Sequence, residues 1–249
     1  MRTAVVVFPG SNCDRDVQRA VAETLKTSVE MVWHEEREFA SEPDLVILPG
    51  GFFYGDYLRS GAMAARSPII EAVRRHAEAG KLLLGICNGF QVLTETKLLP
   101  GALLANTSTT FICKKCWMRV ERTDNRFTSG FKKGDIVQYP IAHHEGLYFL
   151  PPRELQELEE AGQVVFRYAD PKTGSAGAEY APNGALNGIA GICNKGGNIL
   201  GLMPHPERST VAHLNGGTDG GDFGRSIAQR FCKGGTQWAS RSRTLRVGI

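Results

Sequence analysis

The sequence predicts an α/β protein: a central, mostly parallel sheet with flanking helices and an added antiparallel region. Three observations carry this. Short apolar runs that do not alternate recur in the first part of the chain, as strands buried on both faces read. Segments with helical spacing separate them. Beyond about residue 105 the texture changes to alternating runs divided by Gly- and Pro-rich turn signals.

The first strand is TAVVVF (3–8). In the following DRDVQRAVAETLKT, Val17, Ala20, Val21, Thr24 and Leu25 fall at helical spacing and Asp14 is available as N-cap, so the connection is a helix. VEMVW (29–33) completes one crossover unit, and DLVILP (44–49) is the third strand. Ser67 and Pro68 announce a second helix through IIEAVRRHAEAG, with Gly80 where a left-handed C-terminal residue belongs. KLLLGI (81–86) is the fourth strand, and NGFQVLTETKLL after it allows an apolar helix face. FICKKCWMRVE (111–121), VVFRYA (164–169) and NILGLMP (198–204) supply the antiparallel part. Trp33, Trp117 and the phenylalanines read as core. No Ser/Gly linker, repeat or low-complexity tract interrupts the chain. One domain is expected over 1–233, with a basic, flexible tail at 234–249.

Composition narrows the function classes. The 249 residues are 42% apolar, enough for a real core. A net charge of +3, mixed along the chain, gives no basic face of the kind nucleic acid demands. The N-terminus, MRTAVVVFPGSNC, reads as neither signal peptide nor membrane span, so a cytoplasmic protein with no membrane or nucleic-acid partner is expected. The cysteines at 13, 87, 113, 116, 193 and 232 then read as free thiols.

The tetrapeptide GICN occurs twice, around Cys87 and around Cys193, in different settings. Cys87 lies on a strand-to-helix turn with Gly85 and Gly89 at −2 and +2, the pattern of a nucleophile elbow. There the helix N-terminus favours the reactive thiolate. A packed thiol at the end of a central strand fits the same letters. Cys193 ends a strand before the Gly-rich turn NKGGN, with no helix after it, and reads as a small buried hydrophobe. A thiolate attacking an amide needs a proton-transfer partner and a group that orients it. His205 and Glu207 in LMPHPERS, two apart around Pro206, would share a side on extended backbone and could serve. In LPGGFFYG, Gly50 and Gly51 could aim backbone N–H groups at an oxyanion. All three features fall at predicted strand ends, where open α/β sheets place their sites.

Other constellations are weaker. CKKC (113–116) lacks a second pair at zinc-ribbon spacing and reads as strand thiols, so no metal site is expected. Cys13, in the loop after the first strand near the sheet's carboxyl edge, could approach the site or pack beneath the helix it precedes, and the second reading is preferred. Arg59 could serve a partner interface or a local ion pair.

With PGG, GICNGFQ and MPHPER in this order, the chain resembles the class I glutamine amidotransferases, a flavodoxin-like fold. More narrowly, FPGSNCDRD, PGGFFYGDYLRSGAMAA, GICNGFQVL, IAHHEGLY and NGIAGICNKGGNILGLMPHPERS resemble the glutaminase subunit of phosphoribosylformylglycinamidine synthase, an enzyme of de novo purine synthesis. Asn88 stands where other members of the superfamily usually have Leu. The resemblance implies Cys87 as nucleophile, His205 as general acid/base and Glu207 as its orienting carboxylate. It implies backbone donation from Gly51 and Asn88 to the oxyanion, and Gln91 as a contact to the substrate L-glutamine. It also implies a large synthase subunit that uses ATP and Mg and, in many such systems, a small accessory subunit. No cofactor is expected in this chain, which has no phosphate-loop motif. His144 departs from the expected Ala-His-Gly-Glu-Gly, and strain follows there if the Gly uses positive φ. The other readings are a cysteine hydrolase or peptidase of the same fold, and a non-catalytic regulatory subunit.

Overall fold

The computed structural model describes residues 1–210. The expected boundary at residue 233, the tail at 234–249 and Cys232 lie outside the described residues. The apolar runs form strands close to where their sequences place them: β1 (Thr3–Val7), then helix α1 (Asp14–Leu25), β2 (Val29–Trp33) and β3 (Leu45–Leu48). Helix α2 (Ile69–Glu78), β4 (Leu82–Ile86) and helix α3 (Asn88–Glu95) follow. The second half contributes β5 (Ala102–Ala105), β6 (Ile112–Val120), β7 (Ile136–His143), β8 (Glu145–Phe149), helix α4 (Pro152–Glu160), β9 (Val164–Tyr168), β10 (Ile189–Cys193) and β11 (Ile199–Leu202).

Nine strands make one sheet in the order β2-β1-β3-β4-β11-β10-β9-β6-β7, and β5 pairs with β8 in a separate two-stranded sheet. Pairing is parallel from β2 through β4 to β11, and antiparallel from β11 onward to β7. β11 is therefore the seam. Its sequence reads as part of the antiparallel half, yet it pairs parallel with β4, Gly201 opposite Gly85 and Leu202 opposite Ile86. Both strands run toward the same edge and end side by side, which sets the chain after Leu202 against the chain after Ile86. That edge is where parallel sheets gather their ligands.

The core lies on both faces of β1, β3 and β4, all of whose apolar side chains are buried but for a half-buried Val7. The Gly80 expectation holds, with φ +75 just past α2. Three local expectations need correction. Cys13, not Asp14, occupies the N-cap position of α1, so Asp14 falls in the first helical turn. Ser67 closes a short 3-10 turn (Ala64–Arg66), and Pro68 itself caps α2. Trp33 (43% exposed) and Trp117 (37%) are not core, and Phe52, Phe111 and Phe149 are exposed too. Trp33 ends the edge strand β2, while on β6 alternation buries Cys116, Met118 and Val120 and turns Trp117 outward. No helix among the described residues is long and apolar enough to cross a membrane.

Candidate active site

Cys87 sits between the last residue of β4 and the first of α3, with φ 50 and ψ −107. A side-chain-bearing residue costs about 1–3 kcal/mol in such a region and stays only where its surroundings over-determine it. Here they do: its N–H donates to the Leu202 carbonyl at 2.8 Å, and its carbonyl accepts from Phe90 at 2.9 Å and Gln91 at 3.1 Å. Gly89 lets the turn be this sharp, because a Cβ there would lie 2.0 Å from the Leu48 carbonyl oxygen. The elbow read from Gly-x-Cys-x-Gly is thus present, with the Cys87 thiol 3.8 Å from the Ala142 carbonyl at the end of β7.

Beyond β11 the chain reaches His205, whose N–H donates to the Pro140 carbonyl at 2.8 Å. His205 and Glu207 do not lie on extended backbone as the sequence suggests. Pro206 opens a 3-10 turn (Pro206–Ser209), its fixed φ suiting a helical first position, and the turn brings the two side chains together. Nδ1 of His205 and Oε1 of Glu207 are 2.6 Å apart, with the side chains 2% and 0% exposed. Burial alone would make this imidazole less basic. The Glu207 carboxylate, with the thiols of Cys87 and Cys13, overrides that and raises its pKa well above the ordinary histidine value. Nδ1 is fixed by Glu207, which leaves Nε2 facing the thiols of Cys87 and Cys13.

Gly50 is the floor beneath these groups. A Cβ placed on it would meet His205 Cε1 at 2.5 Å, Cys13 Sγ at 3.3 Å and Cys87 Cβ at 3.3 Å. One missing side chain therefore keeps three reactive groups in a common space. Gly51, at φ +155, bridges Ser11 and carries the backbone over the end of β1.

Asn88 opens α3, where helix geometry leaves the first amide N–H groups without an intrahelical acceptor. Its side chain ties the elbow to the loop after β3: Oδ1 accepts from the Phe53 N–H at 2.9 Å, and Nδ2 donates to Asp56 Oδ1 at 3.2 Å and to Gln91 Oε1 at 2.6 Å. Leu at this position would remove all three bonds. Gln91 Nε2 donates in turn to the Glu145 carbonyl at 2.6 Å, so both ends of its amide are held by protein. Asp56 is pushed up to about 6, chiefly by burial and also by the Glu145 charge against the opposing pull of Asn88.

Of two further neighbours of this site, sequence reasoning ranked one as the lesser alternative and missed the other. Cys13 does not merely pack beneath α1: its sulfur lies with His205 and Glu207 in one buried group of ligand-type atoms, all within 4.8 Å of one another. Its position after the first strand was the available signal. His143 is buried, Nδ1 3.1 Å from Asn106 Oδ1 and Nε2 without a hydrogen-bond partner, and burial with the nearby His205 charge lowers its pKa to about 4. The motif Ala-His-Gly-Glu-Gly sets it apart from His144, which stands where Gly is expected, but nothing in the sequence marks its burial near His205.

The remaining readings resolve simply. His144 is outside the positive-φ region, so no strain arises; its carbonyl accepts from Asn106. Cys113 is exposed and Cys116 buried, on opposite faces of β6, so the two thiols of CKKC do not converge. Arg59 pairs locally with Glu95. Cys193 is buried at the end of β10, its sulfur 3.1 Å from Arg122 Nη1.

Comparison with known proteins places this geometry in context. The profile of the CobB/CobQ-like glutamine amidotransferase domain matches residues 1–231. The chain is 54% identical over 223 residues to a phosphoribosylformylglycinamidine synthase subunit PurQ from Thermus thermophilus, covering 90% of this chain and 96% of that one. A chain in the structure of PurLQS from Thermotoga maritima is 43% identical and superposes with a TM-score of 0.76, over 91% of this chain and 96% of that chain. A glutamine amidotransferase from the same organism, 16% identical, shares the fold with a TM-score of 0.51 over 83% and 76% of the two chains.

Proposed function

The chain belongs to the CobB/CobQ-like glutamine amidotransferases, and among them to the PurQ subunits of phosphoribosylformylglycinamidine synthase; from that premise we propose how its residues divide the work. It is the glutaminase subunit that releases ammonia from L-glutamine for purine biosynthesis. The reading of the site rests on one observation above the others: a thiol on a strained elbow and a carboxylate-bound imidazole meet over the same glycine.

Cys87 attacks the side-chain carboxamide of glutamine, and the carbonyl oxygen takes up the negative charge. Gly51, next in the chain to the glycine that faces Cys87, and Asn88, next to Cys87 itself, supply N–H groups to that oxyanion. His205, its Nδ1 fixed by Glu207, gives a proton through Nε2 to the departing nitrogen, and ammonia leaves a γ-glutamyl thioester on Cys87. Water that has lost a proton to the same nitrogen cleaves the thioester and frees glutamate. Splitting amide hydrolysis this way replaces one poor leaving step with two easier ones. Gln91, anchored at both ends of its amide, shapes the wall that receives the substrate.

The partner is the large synthase subunit, PurL in the family's PurLQS assembly, together with the small subunit. We assign ATP and Mg to the large subunit, because activation of the amide acceptor requires them and this chain carries no phosphate-loop motif. Its place is the cytoplasm, with the other enzymes of its pathway.

Labelling with a chloroketone analogue of glutamine tests the assignment. Alkylation at Cys87, blocked by glutamine and absent from Cys193, supports it; preferential alkylation elsewhere rejects it. The same measurement separates a competent glutaminase from a regulatory subunit that has lost turnover, and an assay against peptide substrates separates it from a peptidase.

A further inference from the structure

Cys13 is a second thiol at the reactive imidazole, and the mechanism does not use it. It is 2% exposed, and its S–H donates to Asn12 Oδ1 at 3.2 Å. Its carbonyl accepts from Val17 at 2.9 Å, anchoring it to the start of α1. The sulfur, an imidazole nitrogen of His205 and a carboxylate oxygen of Glu207 lie within 4.8 Å of one another, and all three residues are buried. A second observation points the same way. Among the described residues, Glu207 Oε2 is buried without a hydrogen-bond partner, and the only company of His205 Nε2 is the thiols of Cys13 and Cys87. Such atoms are costly in a folded chain unless something binds them.

We propose that Cys13, His205 and Glu207 form an inhibitory site for a thiophilic divalent cation, zinc being the physiological candidate, which switches the glutaminase off by occupying its imidazole.

The donor set selects the metal class. One thiolate, one imidazole and one carboxylate suit Zn²⁺, which takes S, N and O ligands in a tetrahedron and leaves the fourth position to water; Mg²⁺ and Ca²⁺ prefer oxygen cages. Gly50 gives the ion room, since a Cβ there would stand 3.3 Å from the Cys13 sulfur and 2.5 Å from His205 Cε1. Binding involves no redox change. Cys13 releases its thiol proton to solvent, as does His205 if it holds one on the liganding nitrogen, and three metal–ligand bonds replace bonds to water. The bound ion denies His205 to the leaving nitrogen and crowds the sulfur of Cys87. This rests on the reading of His205 as the proton-transfer group, but metal binding can be measured apart from it.

The test uses the full chain with Cys113→Ser and Cys232→Ser, so that other thiols outside the site contribute less, and Co²⁺ as a spectroscopic stand-in for zinc. One equivalent of cobalt is expected to bind with a thiolate-to-metal charge-transfer band. Cys13→Ser should lose the band, and affinity should fall by at least about tenfold, since losing a ligand costs no less than losing an outer-shell partner. Bound metal should also slow chloroketone labelling of Cys87, and a chelator should restore it. Unchanged cobalt affinity and spectrum in Cys13→Ser overturn the proposal. If that variant does not fold, the parent's cobalt band decides: a thiolate band that survives both Cys87→Ser and Cys193→Ser supports Cys13 as the ligand, and loss of the band in either overturns the site. Failure of Cys87 to label in the metal-free parent counts against the amidotransferase reading alone, since the cobalt spectrum reports the metal site independently.

Discussion

Gly50 and His205 share one volume: a Cβ on Gly50 would come 2.5 Å from the imidazole Cε1. Gly50 is not among the positive-φ glycines, so alanine is compatible with its backbone, and Gly50→Ala changes only the space above it. The ring is buried and tied to Glu207, so it must shift. Displacements of about 1 Å cost roughly 100-fold in rate. Gly50→Ala is therefore expected to lower glutamine turnover by about that factor, with a loss of about 1–3 kcal/mol in stability from the overpacking that leaves the chain folded. Steady-state glutaminase assays beside a melting curve check it, and near-normal turnover would show that the imidazole need not stay where it is.

Glu207→Gln keeps an oxygen for Nδ1 and removes the charge. The carboxylate is what raises the His205 pKa against the effect of burial, so the variant's imidazole loses its proton at lower pH. The alkaline limb of the pH–rate profile should move to more acid values, with turnover down roughly 10²- to 10⁴-fold, as expected when an imidazole loses its orienting carboxylate. The stability consequence has a definite sign. With a native pKa above the unfolded value, proton binding stabilises the fold fully below about 6.5, and this is lost as pH rises through the native value. Urea titrations at several pH values should show that dependence weakened in Glu207→Gln.

His143 should act in the opposite sense. Its pKa, lowered to about 4 from 6.5, means that the native chain excludes a proton the unfolded chain accepts. Its contribution is fully present above about 6.5 and disappears as pH falls to about 4, at most about 3 kcal/mol at 1.36 kcal/mol per pKa unit. His143→Gln should flatten the stability curve across that window. An unchanged slope in urea unfolding would assign it to other groups.

Sequence and structure agree where chemistry is local, and part where it depends on pairing. The Gly-x-Cys-x-Gly elbow is legible because a strand, a sharp turn and a helix are neighbours in the chain. The His205–Glu207 pair is legible as residue types but not as geometry, because Pro206 replaces extended backbone with a 3-10 turn. The switch of β11 to parallel pairing with β4 brings that turn to the elbow, and it rests on non-local register that periodicity does not encode. Cys13 joins the site because β1 and β4 end at the same sheet edge with β3 between them, again a fact of topology.

Asn88→Leu tests the structural use of the residue that distinguishes this elbow. The Phe53 N–H is bonded to Asn88 Oδ1 in a buried setting, and leucine would leave it without that acceptor. A buried donor so deprived costs about 1–3 kcal/mol. The variant should lose that much stability in denaturant unfolding, and its KM for glutamine should rise as the loop after β3 loosens. Full stability in Asn88→Leu would mean the loop is held by other contacts.

Cys87→Ala and Cys193→Ala share the tetrapeptide GICN, so the pair isolates setting from sequence. In the assembly with the synthase subunits, Cys87→Ala should abolish glutamine-dependent synthesis and spare synthesis supplied with ammonia, because only the glutaminase half-reaction needs the thiol. Cys193→Ala should keep both, with stability reduced by the small cavity and the lost contact to Arg122. The sulfur at 193 is as buried as the one at 87 but sits at the end of β10, which a turn rather than a helix follows, and its contact is the Arg122 guanidinium. Loss of ammonia-dependent synthesis in Cys87→Ala would instead make that residue an element of the interface or the fold, and the division of labour between the two thiols would not stand.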